Sequence, residues 1–282
     1  MLDVFSPLSL EARRAQHAAY RQFLLERDGD LDLTARTLSL RESGMARYAK
    51  PLPRVREIDQ ALFQQQYARF DVRRRMSGEA GLLLALVKAN AAEAYGVTQT
   101  FDTVYRRAQR VQDDVEVLML VEETYHTRIL LSAAVLFGLD ITTPFRPAPP
   151  LRALISGISR GPDSLSRPLV LAGEIVGAVT FLNLFHKARE VLGHDPELRD
   201  AMEERVMEVL TDEIGHISFN RMLLGPAGLR TARVLLPLVS KALSIALPEL
   251  GALGLHASAE GAEHVTTSHA LPDAVRRAAF VA

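Results

Sequence analysis

The chain has 282 residues, of which 48% are hydrophobic and 24% are charged, and its formal net charge is −1. This balance is typical of a globular protein with a substantial core, and it offers no positive surplus for binding nucleic acid. Because cysteine is absent, the chain itself can form no disulfide, no thiolate-ligated zinc site and no iron–sulfur cluster.

The N-terminal segment is predicted to form helices that cover the rest of the protein. A first helix is expected from Ser9 to about Arg27, before the turn signal Asp28-Gly29-Asp30, and a second over residues 33–43. After a proline-containing turn, apolar spacing predicts a further helix between residue 58 and the Ser-Gly pair at 77–78.

Four longer helices are predicted next, in two antiparallel pairs. The first pair covers residues 79–106 and 113–137, with Asp113 as the capping start of its second helix and Gly138 as the stop. The second pair covers residues 168–192 and about 196–224. Since the proline-rich stretch between the pairs is long for a hairpin, it predicts a crossover, and the whole order is typical of a four-helix bundle.

Residues 229–255 are predicted to form one or two further helices, followed by a polar, weakly patterned tail. Nothing divides the chain, so we expect one domain over residues 1–282, with a core bundle at 79–224 covered by helices within 9–77 and 229–255. The longest apolar run, near residues 129–139, is too short to span a bilayer, and the N-terminus lacks the features of a secretory signal. A cytoplasmic protein without a membrane span is expected.

Two copies of one short motif lie in the second and fourth bundle helices. Residues 122–126 read Glu-Glu-x-x-His and residues 212–216 read Asp-Glu-x-x-His. Three residues of helix return a side chain to nearly the same face, so each copy offers a carboxylate and an imidazole to one point. One such motif is more often a hydrogen-bonded core pair, but the duplicate favours two transition-metal ions between the helices. The residues are Glu123, His126, Glu213 and His216.

A dinuclear site needs one further carboxylate from each of the other two helices. In a helical hairpin, residues at equal distance from the turn lie at equal height. Reflecting Glu213 across the turn at Gly193-His194 leads to Glu174, the acid in the middle of the third bundle helix. We therefore predict Glu174 as one of the two.

The other carboxylate is predicted in the first bundle helix by the same reflection. Mirroring Glu123 across a turn near Arg110 gives a point one helical turn from Glu93, whereas a turn at residues 96–100 would move that point toward Glu79. Glu93 is preferred because the apolar pattern continues through Val104, and Glu79 is the alternative.

This combination of residues resembles the metal site of the ferritin-like diiron-carboxylate proteins. These include ferritins, ribonucleotide reductase radical subunits, acyl-carrier desaturases, multicomponent monooxygenases and arylamine N-oxygenases. The resemblance covers residues 79–224. It implies a ferritin-like bundle with a long crossover, and two iron ions, with manganese as the alternative. The implied ligands are Glu93, Glu123, His126, Glu174, Glu213 and His216.

The resemblance also implies roles for the acid that precedes each motif glutamate. Asp212 would hydrogen-bond His126, and Glu122 would hydrogen-bond His216. An acceptor behind each histidine fixes the orientation of the ring and raises its basicity as a ligand.

Comparison of branches within this family favours an enzyme. The long flanking segments argue against iron storage, Leu130 stands where radical subunits carry a tyrosine, and Val209 stands where arylamine N-oxygenases often carry an extra histidine. The likeness to the last group is therefore one of size and layout.

A substrate pocket is expected beside Glu174. Small residues one turn along and aromatic residues beyond them suit an apolar substrate, although they would equally allow close helix packing. The pocket candidates are Gly177, Ala178, Phe181 and Phe185.

The predicted function is that of a diiron oxygenase, in which the six ligands act through the metal centre. It would use O₂ to hydroxylate, N-oxygenate or desaturate a small organic molecule, either free or tethered to an acyl or peptidyl carrier protein. Without cysteine or a glycine-rich dinucleotide motif, it would need a separate reductase or ferredoxin. A homodimer is a candidate assembly. The alternatives are an iron-binding or ferroxidase protein, a radical-generating protein, and a metal-free helical interaction protein.

Overall fold

The structure, a computed structural model, describes residues 3–49, 58–89, 91–139, 141, 152, 155–156, 161–256, 259 and 262–282, without the side chains of 91–93. Helices make up nearly all of its regular structure, so the prediction of an all-α protein is confirmed. In chain order they are α1 (Leu10–Asp28), α2 (Ser39–Gly44), α3 (Gln60–Ala68), α4 (Gly78–Ala89), α5 (Ala91–Val111), α6 (Val115–Leu136), α7 (Asp163–Val191), α8 (Pro196–Leu223), α9 (Pro226–Ala246), α10 (Pro248–Ala252) and α11 (Asp273–Ala278). Two short strands, β1 (Leu31–Asp32) and β2 (Thr37–Leu38), pair antiparallel, and Met45–Ala49 and Ala262–Thr267 form 3₁₀ turns.

The first helix begins and ends where the sequence predicts. The Ser9 side chain accepts a hydrogen bond from the Ala12 amide at 3.1 Å and caps the first turn. Gly29 follows the helix with a φ of 83°, a conformation that glycine adopts without steric cost.

The second predicted helix, at residues 33–43, is wrong in its first half. Oδ1 of Asp32 accepts hydrogen bonds from the amides of Thr34 and Ala35, at 2.8 and 3.0 Å. These bonds stabilise a turn that joins β1 to β2, and helix α2 begins only at Ser39.

The first bundle helix, predicted over residues 79–106, corresponds to α4 and α5, which lie on either side of residue 90. Residue 90 itself lies outside the described residues. The helix that precedes them, α3, is also shorter than predicted, since it covers only Gln60–Ala68.

The remaining bundle helices lie close to their predicted bounds. The amide of Val115 donates to Oδ1 of Asp113 at 3.2 Å at the start of α6. Helix α7 begins at Asp163 rather than at Pro168, because a proline so near the start of a helix removes only one backbone hydrogen bond. Oδ1 of Asp195 accepts from the Leu198 amide at 3.1 Å and caps α8.

Helices α4, α6, α7 and α8 enclose a common interior. Helix α4 packs on α6 and α7, and α8 packs on the same two helices. Outside this ring, α5 packs along α6. The interior is filled by buried apolar side chains, such as Leu83, Ile129, Ile175 and Val209. This arrangement brings the two motif-bearing helices, α6 and α8, into contact.

The flanking segments cover this ring of helices. Helices α1 and α11 pack on α8, while α9 and the 3₁₀ turn Ala262–Thr267 pack on α7. The tail, which is polar and weakly patterned in sequence, also contributes to the core, because Val265, Leu271 and Val275 are buried. Their segments are too short to show a helical period in the sequence.

One helix, Asp163–Val191, is long and apolar enough to cross a membrane by length and composition alone. In the structure, 67% of its most apolar window is buried by the rest of the protein. A core helix has the same properties, and α7 is a core helix of the ring, so this is weak evidence for a membrane span.

Candidate metal centre

The two sequence motifs face each other across the contact between α6 and α8. Side chains that point into this contact have almost no access to water, and the exposed fraction of each motif ligand is 5% or less. The buried residues are Glu123, His126, Glu213 and His216.

Glu123 lies between the two imidazole rings. Its Oε1 is 2.7 Å from Nδ1 of His216, and its Oε2 is 3.1 Å from Nδ1 of His126. Oε1 of Glu213 lies 3.3 Å from the same Nδ1 of His126. The ring centroids of the two histidines are 5.6 Å apart. Carboxylate and imidazole donor atoms therefore share one small space.

Glu174 of α7 lies in the same cluster, where the reflection across the hairpin places it. Its Oε2 is 3.8 Å from Nδ1 of His216, and its Oε1 accepts a hydrogen bond from Nδ2 of Asn220 at 3.4 Å. One donor atom from each of Glu123, Glu174, Glu213 and His216 lies within 4.8 Å of the others. This group of three glutamates and a histidine could hold a metal ion.

The outer nitrogen of each histidine is held by an acid from the other motif. Nε2 of His126 lies 2.9 Å from Oδ2 of Asp212, and Nε2 of His216 lies 2.8 Å from Oε2 of Glu122. This crosswise pairing is the arrangement that the family resemblance implies. Because each Nε2 is engaged, Nδ1 of each ring is turned toward the carboxylates of the centre.

Two arginines, one partly buried and one buried, cover these outer acids, and the sequence analysis did not identify them. Arg27 of α1 and Arg41 of α2 both form close ion pairs with Asp212, and they lie 3.3 and 3.6 Å from Glu122. Arg41 also donates a hydrogen bond to Asp28 at 3.1 Å. No spacing rule distinguishes them from solvated arginines, because their partners lie far away along the chain.

Burial and charge act in opposite directions on the acids of the centre. Burial alone would raise the pKa of Glu123, but the neighbouring histidines His126 and His216 hold it well below its usual value. Burial raises the pKa of Glu174 to about 7, and the charge of His216 compensates this only in part. A bound cation would supply the missing positive charge.

Several donor atoms of the centre make no hydrogen bond. Within the described part of the chain, this holds for Oε2 of Glu123 and for Nδ1 of both His126 and His216. Buried polar atoms without a well-directed hydrogen bond are rare in folded proteins, because leaving them so is unfavourable. A metal ion would engage the same atoms, so the residues present fit a metal centre.

The carboxylate expected from the first bundle helix stays a prediction. Glu93 lies in α5, but its side chain is outside the described residues. Oε1 of the alternative, Glu79, lies 3.1 Å from Nε2 of His194, in the turn between α7 and α8. The rise of a helix separates Glu174 from that turn by roughly 27 Å. Glu79 is therefore not part of the cluster.

An apolar cavity of about 720 Å³ opens beside the centre, with Glu123 and Glu174 in its wall. Of the predicted pocket residues, Gly177 and Phe181 line this cavity. The other two, Ala178 and Phe185, are buried and are not part of its described lining. Ala178 lies on the adjoining face of α7, and Phe185 lies further along the helix than the last lining residue, Phe181.

Comparison with models of known protein families, with curated proteins and with solved structures finds no match for this chain. The resemblance to ferritin-like diiron proteins therefore stays a prediction from the sequence motifs.

Proposed function

We propose that this chain is a non-haem diiron oxygenase of the ferritin-like type, which uses O₂ to hydroxylate, N-oxygenate or desaturate a small organic substrate. One observation carries the proposal: Nδ1 of His126 and Nδ1 of His216 meet the carboxylate of Glu123 in a buried space that borders an apolar cavity. A set of metal-binding donors is thereby combined with room for a substrate.

The chemistry of the donors favours two iron ions, with manganese as the alternative. Oxygen-rich ligation with some imidazole and no thiolate suits both metals. With Glu93 included, the four carboxylates would balance the charge of two divalent ions. Two ferrous ions, when bound, supply two electrons for the reduction of O₂. The proposed ligands are Glu93, Glu123, His126, Glu174, Glu213 and His216.

The outer acids have a positioning role in this proposal. Asp212 and Glu122 accept hydrogen bonds from Nε2 of His126 and His216, which fixes the tautomer and directs each Nδ1 inward. Burial would raise the pKa of Asp212, but two arginines hold it well below its usual value. Asp212 therefore stays ionised and remains a strong acceptor.

Glu174 lies where the ligand cluster meets the cavity. Its side chain is 13% exposed, it lines the cavity, and burial raises its pKa to about 7 when no cation is present. A bound cation would displace this proton and lower the pKa, so Glu174 would act as a ligand beside the substrate space. Hydroxylation transfers one oxygen atom of O₂ to the substrate and reduces the other to water, with two electrons and two protons.

The cavity suits a small apolar substrate. Near the centre its lining includes Leu120, Val176 and Phe181, and its volume of about 720 Å³ lies within the range of small-molecule sites. Apolar walls keep the number of water molecules near the reacting atoms small, which protects reactive oxygen species from side reactions.

Electrons for each further turnover must come from another protein. The chain has no cysteine and so no iron–sulfur cluster. We therefore include a separate reductase or ferredoxin in the proposal, together with a cytoplasmic location. Delivery of the substrate on an acyl or peptidyl carrier protein, and assembly as a homodimer, belong to the same proposal.

Metal analysis of the full chain, purified under iron-replete conditions, tests the proposal. We expect about two iron ions per chain and an O₂-dependent change in absorption after anaerobic ferrous loading. His126→Ala should lose most of the iron, whereas His194→Ala, at a histidine in the turn between α7 and α8, should retain it. If the folded wild type binds no more iron or manganese than His126→Ala, the proposal is wrong and a metal-free interaction protein is favoured. Bound iron without any response to O₂ would favour a simple iron-binding protein.

A further inference from the structure

Four charged side chains line one end of the cavity, at the start of α7. Arg107 is in the last turns of α5, Glu116 is in the first turn of α6, and Asp163 and Arg167 are in the first turns of α7. Their side-chain exposure ranges from 21% for Arg167 to 64% for Asp163. These four residues, here called the charged rim, therefore face both water and the cavity.

The charged rim lies two helical turns from the metal centre. Glu116 precedes Glu123 by seven residues, and Arg167 precedes Glu174 by seven, which returns each pair to nearly the same helix face. The rise of a helix makes this separation about 10 Å. Since all of these residues line one cavity, a single molecule can contact the rim with one end and the centre with the other.

Arg167 has hydrogen-bonding capacity that the rim does not use. Arg107 forms a close ion pair with Glu116 and donates a hydrogen bond to Asp163 at 3.5 Å. Arg167 lies 3.7 Å from Glu116 and 3.5 Å from Asp163, but it makes no hydrogen bond to any residue that the structure describes. Glu116 is already neutralised by Arg107, and Asp163 faces mainly water. The Arg167 guanidinium is therefore available to an anion in the cavity.

We propose that the substrate is an elongated apolar molecule with one carboxylate at the end furthest from the metal centre, and that Arg167 binds this carboxylate. The planar guanidinium matches the two carboxylate oxygens. A phosphate ester carries more negative charge and would be repelled more strongly by Glu116 and Asp163. An ammonium group would be repelled by Arg167 and Arg107.

This orientation determines which part of the substrate is oxidised. The apolar body would lie along α7 beside Val170 and Gly173, which line the cavity between Arg167 and Glu174. The end that reaches Glu174 would be separated from the carboxylate by about 10 Å. The identity of the reacting end rests on the proposed oxygenase function, whereas the contact between Arg167 and the carboxylate does not require a metal ion.

Isothermal titration calorimetry with three eight-carbon probes tests this contact on the full chain, both metal-free and iron-loaded. The wild type should bind octanoate roughly tenfold more tightly than 1-octanol or octylamine, because of one charge-assisted contact at a partly exposed site. Arg167→Gln should lower octanoate affinity to the level of octanol and leave octanol unchanged. Arg199→Gln, at an arginine of 32% exposure outside the described cavity lining, is the matched control and should change neither.

A second variant keeps the test decisive if Arg167→Gln is unstable. Glu116→Gln removes the competing acid and should strengthen octanoate binding without affecting octanol. Equal affinity of the wild type for octanoate and octanol, or unchanged octanoate affinity in Arg167→Gln, would overturn the proposal. The proposal would also be overturned if octanoate bound only to the iron-loaded chain and with the same affinity in Arg167→Gln, since its carboxylate would then lie at the metal end. Because the metal-free chain is measured too, failure to bind iron would not alter this result.

Discussion

Two acidic residues beside the candidate metal centre, Asp212 and Glu122, each support a histidine and lie close to two arginines. Substitutions can separate these two roles. Asp212 and Glu122 each accept a hydrogen bond from a histidine of the opposite motif. Asp212 also forms close ion pairs with both Arg27 and Arg41, whereas Glu122 lies 3.3 and 3.6 Å from them. The two acids therefore support a candidate metal ligand in the same way, but Asp212 contributes more to the stability of the fold.

Asp212→Asn should lower both stability and metal affinity. It leaves the buried guanidinium group of Arg41 and the partly buried one of Arg27 without their closest counter-charge, which costs about 3 kcal/mol. It also weakens the support of His126, which should reduce metal affinity roughly 10- to 100-fold. Glu122→Gln should show a similar loss of affinity but a smaller loss of stability. Denaturant unfolding of the metal-free protein and titration with Mn²⁺ measure the two effects. Equal destabilisation by both substitutions would contradict the role given to the ion pairs.

Asp28 should make the stability of the protein depend on pH. Burial, reinforced by the charge of Glu122, raises the pKa of Asp28 to about 8, although Arg41 opposes this shift. A carboxyl group whose pKa is higher in the folded state contributes fully at low pH, and this contribution is lost as pH rises through the folded value. From this group, the free energy of unfolding should fall between about pH 4 and pH 8.

Asp28→Asn tests this dependence, because asparagine has the same shape and does not titrate. Urea unfolding at a series of pH values should give a flatter profile between about pH 4 and pH 8 for the variant than for the wild type. Identical slopes would show that Asp28 is already ionised in the folded protein and is fully compensated by Arg41.

Among the helices, the sequence correctly predicted the ends that local hydrogen bonds determine. Ser9, Asp195 and Gly138 lie at helix ends that were predicted to within a few residues, because caps and stops act over one turn. The turn at Asp32 was missed, because it does not interrupt the apolar pattern.

In the candidate site, too, the sequence predicted residues within one helical hairpin but not contacts between segments that lie far apart in the chain. Glu174 could be found from the sequence because a helical hairpin fixes the height of every residue along it. Arg27 and Arg41 could not, since their contacts with Asp212 join segments far apart in the chain and depend on how α1 and α2 pack. The charged rim was missed for the same reason, because its members come from three helices.

Two glycines on adjacent helices should respond in opposite ways to alanine. In α7, a Cβ atom on Gly173 would meet no atom within 4 Å, so Gly173→Ala should stabilise the helix by up to about 1 kcal/mol. In α8, a Cβ atom on Gly215 would lie 3.3 Å from Oη and Cε2 of the buried Tyr20. Overpacking there should cost about 1–3 kcal/mol, which exceeds the gain in helix propensity from replacing glycine by alanine. Thermal unfolding compares the pair, and a stabilised Gly215→Ala would contradict the tight contact.

Elements from all parts of the described chain contribute to the candidate metal centre and its surroundings. Donor atoms come from α6, α7 and α8, the arginines behind them come from α1 and α2, and α9 contributes to the cavity wall. Segments from both flanks of the bundle are therefore tied to one small volume. Because this volume gathers carboxylates that repel one another, filling it with cations should stabilise all of these elements together.

Metal binding should consequently raise the thermal stability of the whole chain. Mn²⁺ is the suitable probe, since it prefers similar ligands to Fe²⁺ and is not oxidised readily by air. At about 100 times its dissociation constant, a ligand that binds only the folded state stabilises it by about 2.7 kcal/mol, which for a chain of this size corresponds to a shift in Tm of roughly 5 °C. The double variant His126→Ala/His216→Ala, which lacks both imidazoles, should show little or no shift under the same conditions. Mg²⁺, which prefers oxygen ligands and retains its water, should have a smaller effect on the wild type. Equal shifts in the wild type and the double variant would show that the ion binds elsewhere. The buried cluster would then have no role in metal binding.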